Sequence, residues 1–413
     1  MSAPRERRAA VTGIGVVAPG GTNTETFWKS TQEGVSVLDR VTREGCEHLP
    51  LKVAGEVRSF EPSAAVEERY LVQTDRFTHF AMAAADAALQ DARLGQADTD
   101  VAPFSAGVVT AAGSGGGEFG QRELQKLWSK GSRYVGPWQS IAWFYAASTG
   151  QVSIRRGFKG PCSVVAADEA GGLDALAHAA RAVKRGTDVI VAGSTEAPLA
   201  PYSMVCQLGY RELSPVADPK RAYRPFTEDA CGFVPAEGGA MLTVEAADAA
   251  RERGVPVRAV LAGHAATFTG ASRWELSREG LAEAIRGALA EAGCAPEEVD
   301  VVFADALGVP EADRAEALAI ADALGRSVPV TAPKTGTGRA YCAAPVLDTA
   351  AAVLAMEHGL IPPTPNVSDI CHDLDLVTGR ARAAEVRTAL VLSRGLMGSN
   401  SALVLRHGAA DAS

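Results

Sequence analysis

One order of strand-like and helical runs occurs twice along the 413-residue sequence, and this repeat limits the fold more than any other feature. In the first half, AAVTGIGVV precedes FTHFAMAAADAALQDARL and SAGVVTAAG, and CSVVAAD, LDALAHAARAVKRG and DVIVAGST follow. In the second half, PVRAVLAGHAAT, LAEAIRGALAEAGC and VDVVFADALG follow in the same order. Apolar strands that alternate with helices predict an α/β architecture. We therefore expect two duplicated α/β halves, with helices between and outside two sheets.

The two halves are expected to meet at residues 252 and 253. The segment VEAADAARERGVP is rich in charge and ends with Gly254 and Pro256, a composition that is typical of a joint. The repeated unit is far longer than that of a solenoid, so it indicates an internal duplication. We predict an N-terminal half at residues 1–252 and a C-terminal half at residues 253–413.

The composition is that of a globular chain, with 47% hydrophobic and 22% charged residues. The net charge of −9 is spread along the chain, which argues against nucleic acid and anionic membranes as partners. No apolar run is long enough to span a bilayer, and the N-terminus has no signal-peptide pattern, so a cytoplasmic protein is expected. The seven scattered cysteines form no Cys-x-x-Cys pair, which predicts reduced, mostly buried thiols and no zinc site.

Two further patterns resemble cofactor sites only superficially. Gly13, Gly15 and Ala18 have the spacing of a dinucleotide motif, but Pro19 follows, and the next helix is expected only near Thr24. The seven histidines stand apart from one another and from the cysteines, so no metal site is expected. His178 lies within a predicted helix and is interpreted as a packing residue. The sequence therefore predicts no bound cofactor of its own.

The segment VVAADEAGGLDALAHAARA changes from a strand to a helix at Asp168 and Glu169. The first amides of a helix favour negative charge, so either carboxylate could cap the helix. Enzymes of α/β folds also place a nucleophile at such a bend. The residues by themselves leave both interpretations open.

Several segments resemble β-ketoacyl synthases of the thiolase fold. GPCSVVAADEAGGLDALAHA resembles the active-site segment of that family, and VTGIGVVAPGG resembles its first strand. RPFTEDACGFVPAEGGAMLTVE resembles the Arg-Pro-Phe and Gly-Glu-Gly signature, with Glu237 in the acid position. PKTGTGRAYCAAPVLD resembles the segment that contains the lysine and the second histidine. The resemblance covers nearly the whole chain and implies a five-layer αβαβα architecture.

The same resemblance implies that the catalytic positions are altered. The cysteine position falls on Glu169, the first histidine on Asp305 and the second histidine on Arg339, while Lys334 is retained. Decarboxylative condensation needs a thiolate to carry the acyl chain and donors that stabilise the developing charge. The chain is therefore expected to be a subunit of an acyltransferase-class complex that lacks its own nucleophile.

Within the family, the chain resembles the chain length factors of type II polyketide synthases. ELQKLWSKG, SIAWFYAASTGQVSIRRGFKGP and VAADEAGGLDAL carry this resemblance. It implies a heterodimer with a catalytic ketosynthase α subunit and an acyl carrier protein that delivers its phosphopantetheine arm. Members of this subfamily usually carry Gln at the position of Glu169.

The resemblance also implies which residues close the elongation tunnel. Gly117, Gly120 and Leu124 fall at the tunnel positions, and Tyr202 is a further candidate for the same wall. Each missing aromatic ring leaves on the order of 100 Å³ in a close-packed interior. A long tunnel and a long aromatic polyketide are therefore expected. The alternative is that the glycines serve backbone geometry.

Three alternatives for the function stay open at this point. Glu169, with Asp305 and Arg339, could decarboxylate malonyl-acyl carrier protein to supply the starter unit. A self-associating, inactive ketosynthase homologue that binds acyl chains is a second alternative. A reduced polyene instead of an aromatic product is the third.

Overall fold

The structure is a computed structural model that describes residues 7–95, 101–270, 274 and 277–409. Within these residues the strands are β1 (Ala9–Val17), β2 (Asp39–Arg40), β3 (Val53–Ala54), β4 (Ala106–Ala111), β5 (Cys162–Val165), β6 (Val189–Glu196), β7 (Gly238–Ala246), β8 (Ala259–Phe268), β9 (Val301–Phe303), β10 (Pro329–Thr331), β11 (Leu360–Ile361), β12 (Asp375–Leu376), β13 (Arg382–Ala383), β14 (Thr388–Arg394) and β15 (Ser399–His407).

The described helices alternate with these strands, as the sequence pattern predicts. They are α1 (Thr24–Gln32), α2 (Pro62–Ala65), α3 (Glu68–Leu71), α4 (Arg76–Asp91), α5 (Gly117–Lys130), α6 (Gln139–Ala142), α7 (Ala147–Arg156), α8 (Gly171–Lys184), α9 (Pro201–Gln207), α10 (Ala247–Glu252), α11 (Ser277–Ala292), α12 (Pro310–Leu324) and α13 (Ala344–His358). Short 3-10 turns occur at Pro103–Ser105, Ser132–Tyr134, Pro296–Glu298, Pro333–Thr335 and Tyr341–Ala343.

The main sheet repeats one five-strand pattern on either side of its centre. Its order within the described residues is β12-β10-β9-β14-β15-β8-β1-β7-β6-β4-β5. From the centre outward, each half has two antiparallel pairings followed by two parallel ones. The predicted separation into two sheets is wrong in one respect, because β1 and β8 pair at Ala10–Val260 and Val11–Ala259.

Three helical layers enclose the two halves of this sheet. α4 packs on β1 and β7, and α11 packs on β8 and β15. α8 and α13 contact each other and lie between the two halves of the sheet. Each helical layer has its own apolar core, and the central core contains side chains from both halves. The architecture is therefore the five-layer αβαβα arrangement of the thiolase fold.

The glycines of β1 serve helix packing, not nucleotide binding. A Cβ atom at Gly13 would lie 2.0 Å from the carbonyl oxygen of Ala88, and one at Gly15 would lie 1.9 Å from that of Ala84. The missing side chains therefore let α4 lie directly on β1. The next helix, α1, begins at Thr24 as predicted.

The boundary between the halves falls in a short, regular connection. β7 ends at Ala246, α10 follows directly, and β8 begins at Ala259. The segment that was interpreted as a joint is therefore partly strand and partly helix. We propose residues 252 and 253 as the boundary, since they lie between the last element of one five-strand pattern and the first element of the next. Among the described helices, none combines the length and apolarity needed to cross a bilayer.

Candidate functional site

In the bend between β5 and α8, the side chain of Glu169 is buried, whereas that of Asp168 is partly exposed. Asp168 has a φ of 52°, in the left-handed region, which costs a non-glycine residue roughly 1–2 kcal/mol. Its carboxylate accepts a hydrogen bond from the N–H of Met397 at 2.7 Å. The capping interpretation is wrong, because Ala170 is the N-cap of α8 and no side chain caps it. Both carboxylates are bound to the C-terminal half instead.

Arg339 joins the positions that the resemblance assigned to the cysteine and the two histidines. Its Nη2 and Nε atoms donate to Oε2 of Glu169 at 2.9 and 3.2 Å. Nη2 also lies 2.8 Å from Oδ1 of Asp305. All three side chains are buried. The structure therefore brings Glu169, Asp305 and Arg339 together as one ion-paired group.

The ion pairs continue beyond Asp305. Arg394 donates to Asp305 through its backbone N–H at 3.0 Å and its Nε at 3.3 Å, and its Nη2 donates to Glu316 at 2.9 Å. The backbone N–H groups of Asp305 and Ala306 also donate to Glu316. The result is a buried chain of alternating charge, which we call the ion chain: Glu169, Arg339, Asp305, Arg394 and Glu316.

Position within the ion chain decides the direction of each carboxyl pKa. Burial raises the pKa of Glu169 to about 7, with Arg339 opposing the shift. Burial also raises the pKa of Glu316 against the effect of Arg394. Asp305 differs because burial is overcome by its two neighbours, Arg339 and Arg394, which lower its pKa. A carboxylate between two cations is thus stabilised, whereas a terminal one is less well compensated.

Lys334 contacts the backbone at Asp305 and the side chain of Asp348, and it is not paired with Asp168 or Glu169. Its Nζ atom donates to the carbonyl oxygens of Ala304 at 2.8 Å and Asp305 at 3.2 Å, and it pairs with Asp348 at 2.5 Å. The retained lysine therefore fixes the backbone that carries Asp305. It is a positioning residue for the ion chain.

A cavity of about 390 Å³ opens beside Glu169. Its wall combines glycines, aromatic rings and thiols, and its lining includes Gly117, Trp143, Glu169, Tyr202, Tyr210 and Cys342. A cavity of this size, mostly apolar with a few polar groups, is typical of a small-molecule site.

The structure separates the four predicted tunnel residues. Gly117 and Tyr202 line the cavity, whereas Leu124 lies farther along α5 with an exposed side chain. A Cβ atom at Gly117 would lie 2.1 Å from Oγ of Ser203 on α9. Gly117 therefore allows α5 and α9 to approach closely, which supports the alternative of backbone geometry for this glycine. The tunnel roles themselves stay predictions.

Cys342 does not replace the missing nucleophile. Cys342 lines the cavity, but burial and the neighbouring carboxylates Glu196 and Glu169 raise its pKa well above the usual range of a thiol. A protonated thiol is a poor nucleophile. The expectation of mostly buried thiols is only partly correct, because Cys162, Cys206 and Cys371 are exposed. Cys162 is exposed because it lies on β5, at the edge of the sheet.

Among the residues that the structure describes, no strand pairs with the outer edge of β5. The carbonyl oxygens of Pro161 and Val165 accept hydrogen bonds from β4, so the backbone groups of the alternate residue Val164 face away from β4. Trp143 and Tyr202 of the cavity wall are exposed, and further large apolar side chains are exposed on α5, α7, α9 and the segment between α5 and α7: Trp128, Tyr134, Trp138, Phe144, Tyr145, Ile154 and Val205. An uncovered strand edge with a large apolar surface is typical of a protein interface.

Sequence reasoning missed several residues that complete the site. Arg394 and Glu316 are two of the five residues of the ion chain, and neither was among the predicted site residues. Glu237, noted for its signature, accepts hydrogen bonds from Arg43 and Arg76, and has a structural role away from the cavity. His178 contacts Ser163 at 3.5 Å, as expected for a packing residue. A lone arginine in an apolar strand run, SRG, was the signal for Arg394.

Comparison with known proteins agrees with this geometry. Residues 6–250 match the family model "Beta-ketoacyl synthase, N-terminal domain", and residues 258–368 match "Beta-ketoacyl synthase, C-terminal domain". A Streptomyces coelicolor protein that carries the name polyketide beta-ketoacyl synthase 2 is 77% identical over 98% of this chain and 96% of its own length.

Two solved structures share the fold over almost the whole chain. One is described as the ishigamide ketosynthase/chain length factor, with a TM-score of 0.90 and 27% identity over 97% of this chain and 99% of that chain. The other is a type II PKS acyl-carrier protein in complex with its ketosynthase bound to the hexaketide, with a TM-score of 0.87 and 29% identity over 98% of this chain and 100% of that chain. The chain described here belongs to the β-ketoacyl synthase family.

Proposed function

We propose that this protein is the non-condensing β subunit of a type II polyketide ketosynthase, a chain length factor. The observation that carries the proposal is the pair formed by Glu169 and Arg339, which occupies the position of the nucleophile and of its histidine partner. A carboxylate that is already bound to an arginine cannot carry an acyl chain as a thiolate does. The N–H groups of Arg339 are already donated to carboxylate and carbonyl oxygens, so they are not free for a developing oxyanion.

The proposed partner is a catalytic ketosynthase α subunit. The edge of β5 and the exposed apolar side chains are the surface that this partner would cover. Trp143 and Tyr202 are exposed and also line the cavity, so a growing chain from the partner's active site would enter the cavity across the interface. An acyl carrier protein would deliver extender units on its phosphopantetheine arm to the partner, because Glu169 stands at the nucleophile position of this chain.

In this proposal the shape of the cavity sets the length of the product. The cavity wall, to which Gly117 and Tyr202 contribute, limits how far a poly-β-ketone can extend. The expected product is a long aromatic polyketide.

The test is to co-express this chain with a ketosynthase from the same organism and to purify the complex through a tag on one subunit. We expect equal amounts of the two subunits, and polyketide formation from malonyl-acyl carrier protein only when both are present. A stable homodimer of this chain that ignores the ketosynthase would contradict the proposal and favour the self-associating homologue.

One observation favours the malonyl decarboxylase as a second candidate. Burial raises the pKa of Glu169 to about 7, so a substantial share of the side chain is neutral at neutral pH and can donate a hydrogen bond to a thioester carbonyl. Carbon dioxide release by a complex whose ketosynthase cysteine is blocked measures this activity. Release that falls in Glu169→Ala would support the enzyme, whereas no release above background would exclude it.

A further inference from the structure

The face of α5 that Gly120 leaves bare is covered by the indole of Trp143. A Cβ atom at Gly120 would lie 3.2 Å from Cδ1 and 3.9 Å from Cγ of Trp143, and 3.8 Å from Nε2 of Gln139. These distances place the indole directly against the glycine, at ordinary packing distance or closer. The volume that an aromatic residue at 120 would occupy is therefore partly filled already by a ring from another element.

The backbone of Trp143 is fixed, whereas much of its ring surface is free. Its N–H donates to the carbonyl oxygen of Gln139 at 3.2 Å, and its carbonyl oxygen accepts from the N–H of Gly116 at 3.1 Å. The side chain of Trp143 is nevertheless 56% exposed, and it lines the cavity together with Gly117 and Tyr202. One side of the indole thus rests on α5 and the remaining surface is available to whatever fills the cavity.

We propose that Trp143 is a specificity-determining residue that limits the length of the bound chain, and that Gly120 is the seat on which its indole rests. This proposal rests on the function proposed above and deepens it. An indole presents a large, rigid apolar surface and a single N–H donor, which suits contact with a chain of alternating methylene and carbonyl groups. The absence of a side chain at Gly120 then does not lengthen the cavity. It leaves the space in which the indole of Trp143 packs, and Trp143 closes the cavity.

The test compares Trp143→Ala, Trp143→Phe and Gly120→Ala in the heterodimer, with product length measured by mass spectrometry. We expect Trp143→Ala to lengthen the main product by at least one two-carbon unit and Trp143→Phe to have a smaller effect. Gly120→Ala should alter the product distribution in the presence of Trp143 and should have no effect when combined with Trp143→Ala. Phe268→Ala is the control, since Phe268 is 70% exposed on β8 and lies outside the cavity wall and outside the surface proposed to bind the partner.

The outcomes separate the two proposals. If the unsubstituted chain forms no active complex with a ketosynthase, the proposed function fails. If that complex is active and Trp143→Ala leaves its product length unchanged, only the inference about Trp143 fails. Should Trp143→Ala not assemble, Trp143→Phe and Gly120→Ala give the same decision. In the free chain, Gly120→Ala should shift tryptophan fluorescence because the new methyl group meets the indole of Trp143. An equal shift in a chain that also carries Trp143→Phe would contradict the proposed contact between Gly120 and Trp143.

Discussion

The two halves of the molecule share one topology but differ in what their outer edges present. In the C-terminal half, the last strand of the repeat, β10, is covered by β12 and lies between two strands. In the N-terminal half, the corresponding strand β5 has a partner on one side only, within the described residues. The uncovered edge and most of the cavity wall belong to the first half, whereas most of the ion chain belongs to the second. The two halves therefore share one scaffold but differ in the strand edge that they expose and in the buried charges that they contain.

The largest effect is expected from breaking the link between the halves at Arg339. Arg339→Ala leaves the buried carboxylates of Glu169 and Asp305 without their shared cation, and removal of one partner from a buried pair costs about 3–5 kcal/mol. Chemical denaturation measures the loss of the free energy of unfolding. Arg387→Ala, which removes an exposed pair with Glu385, should change it little. Equal stability of the two variants would show that the ion chain does not support the fold.

The second test asks whether the edges of the halves differ as the structure indicates. Val164→Pro removes an N–H that faces away from β4, so the free chain should fold while its affinity for a ketosynthase falls at least tenfold. Val330→Pro, in the covered strand β10, should instead prevent folding. Circular dichroism and co-purification measure the two properties. Val164→Pro that still co-purifies with the ketosynthase would contradict pairing through this edge.

The third test concerns the packing of α5 on α9 in the N-terminal half. Gly117→Ala should lower the free energy of unfolding by about 1–3 kcal/mol, since the new methyl group meets Oγ of Ser203. Ser203→Ala removes that oxygen and should restore most of the loss in the double variant. Thermal unfolding of all four proteins gives the coupling. Additive effects would show that Ser203 is not the obstacle.

A pH dependence carried by Asp75, at the start of α4, is the smallest effect when it is measured over a single pH unit. Burial raises the pKa of its carboxyl group from 3.8 to about 7, although the N–H groups of Phe119 and Phe77 donate to it. Between these pH values the folded state binds more protons than the unfolded state, so the free energy of unfolding falls as pH rises. The contribution of the protonated Asp75 is lost above about pH 7. The slope is on the order of 1 kcal/mol per pH unit.

Asp75→Asn should flatten this part of the profile, as measured by urea unfolding from pH 4 to pH 8. Asp39→Asn is the matched control, because Asp39 is exposed and its pKa is lowered, first of all by a hydrogen bond from Arg58. An unchanged slope in Asp75→Asn would assign the pH dependence to the other buried carboxyls.

Much of this architecture could be predicted from local patterns. The alternation of apolar strands with Ala-rich helices predicted the α/β repeat, and the start of α1 near Thr24 was also expected from the sequence. The altered positions Glu169, Asp305 and Arg339 were found by resemblance. Their ion pairing could not be predicted in the same way, because Glu169 and Arg339 are 170 positions apart and meet only where the two halves pack.

The sequence by itself determined the repeat, the buried strands and the absence of a cysteine at the elbow, because each depends on residues close together in the chain. Only the tertiary structure decided that the elbow carboxylates bind the opposite half, that β5 is uncovered and that Trp143 fills the space beside Gly120. These features depend on which surfaces meet after folding. A carboxylate next to a helix start is a cap or an ion pair according to what packs against it, and burial against Arg339 made Glu169 an ion pair.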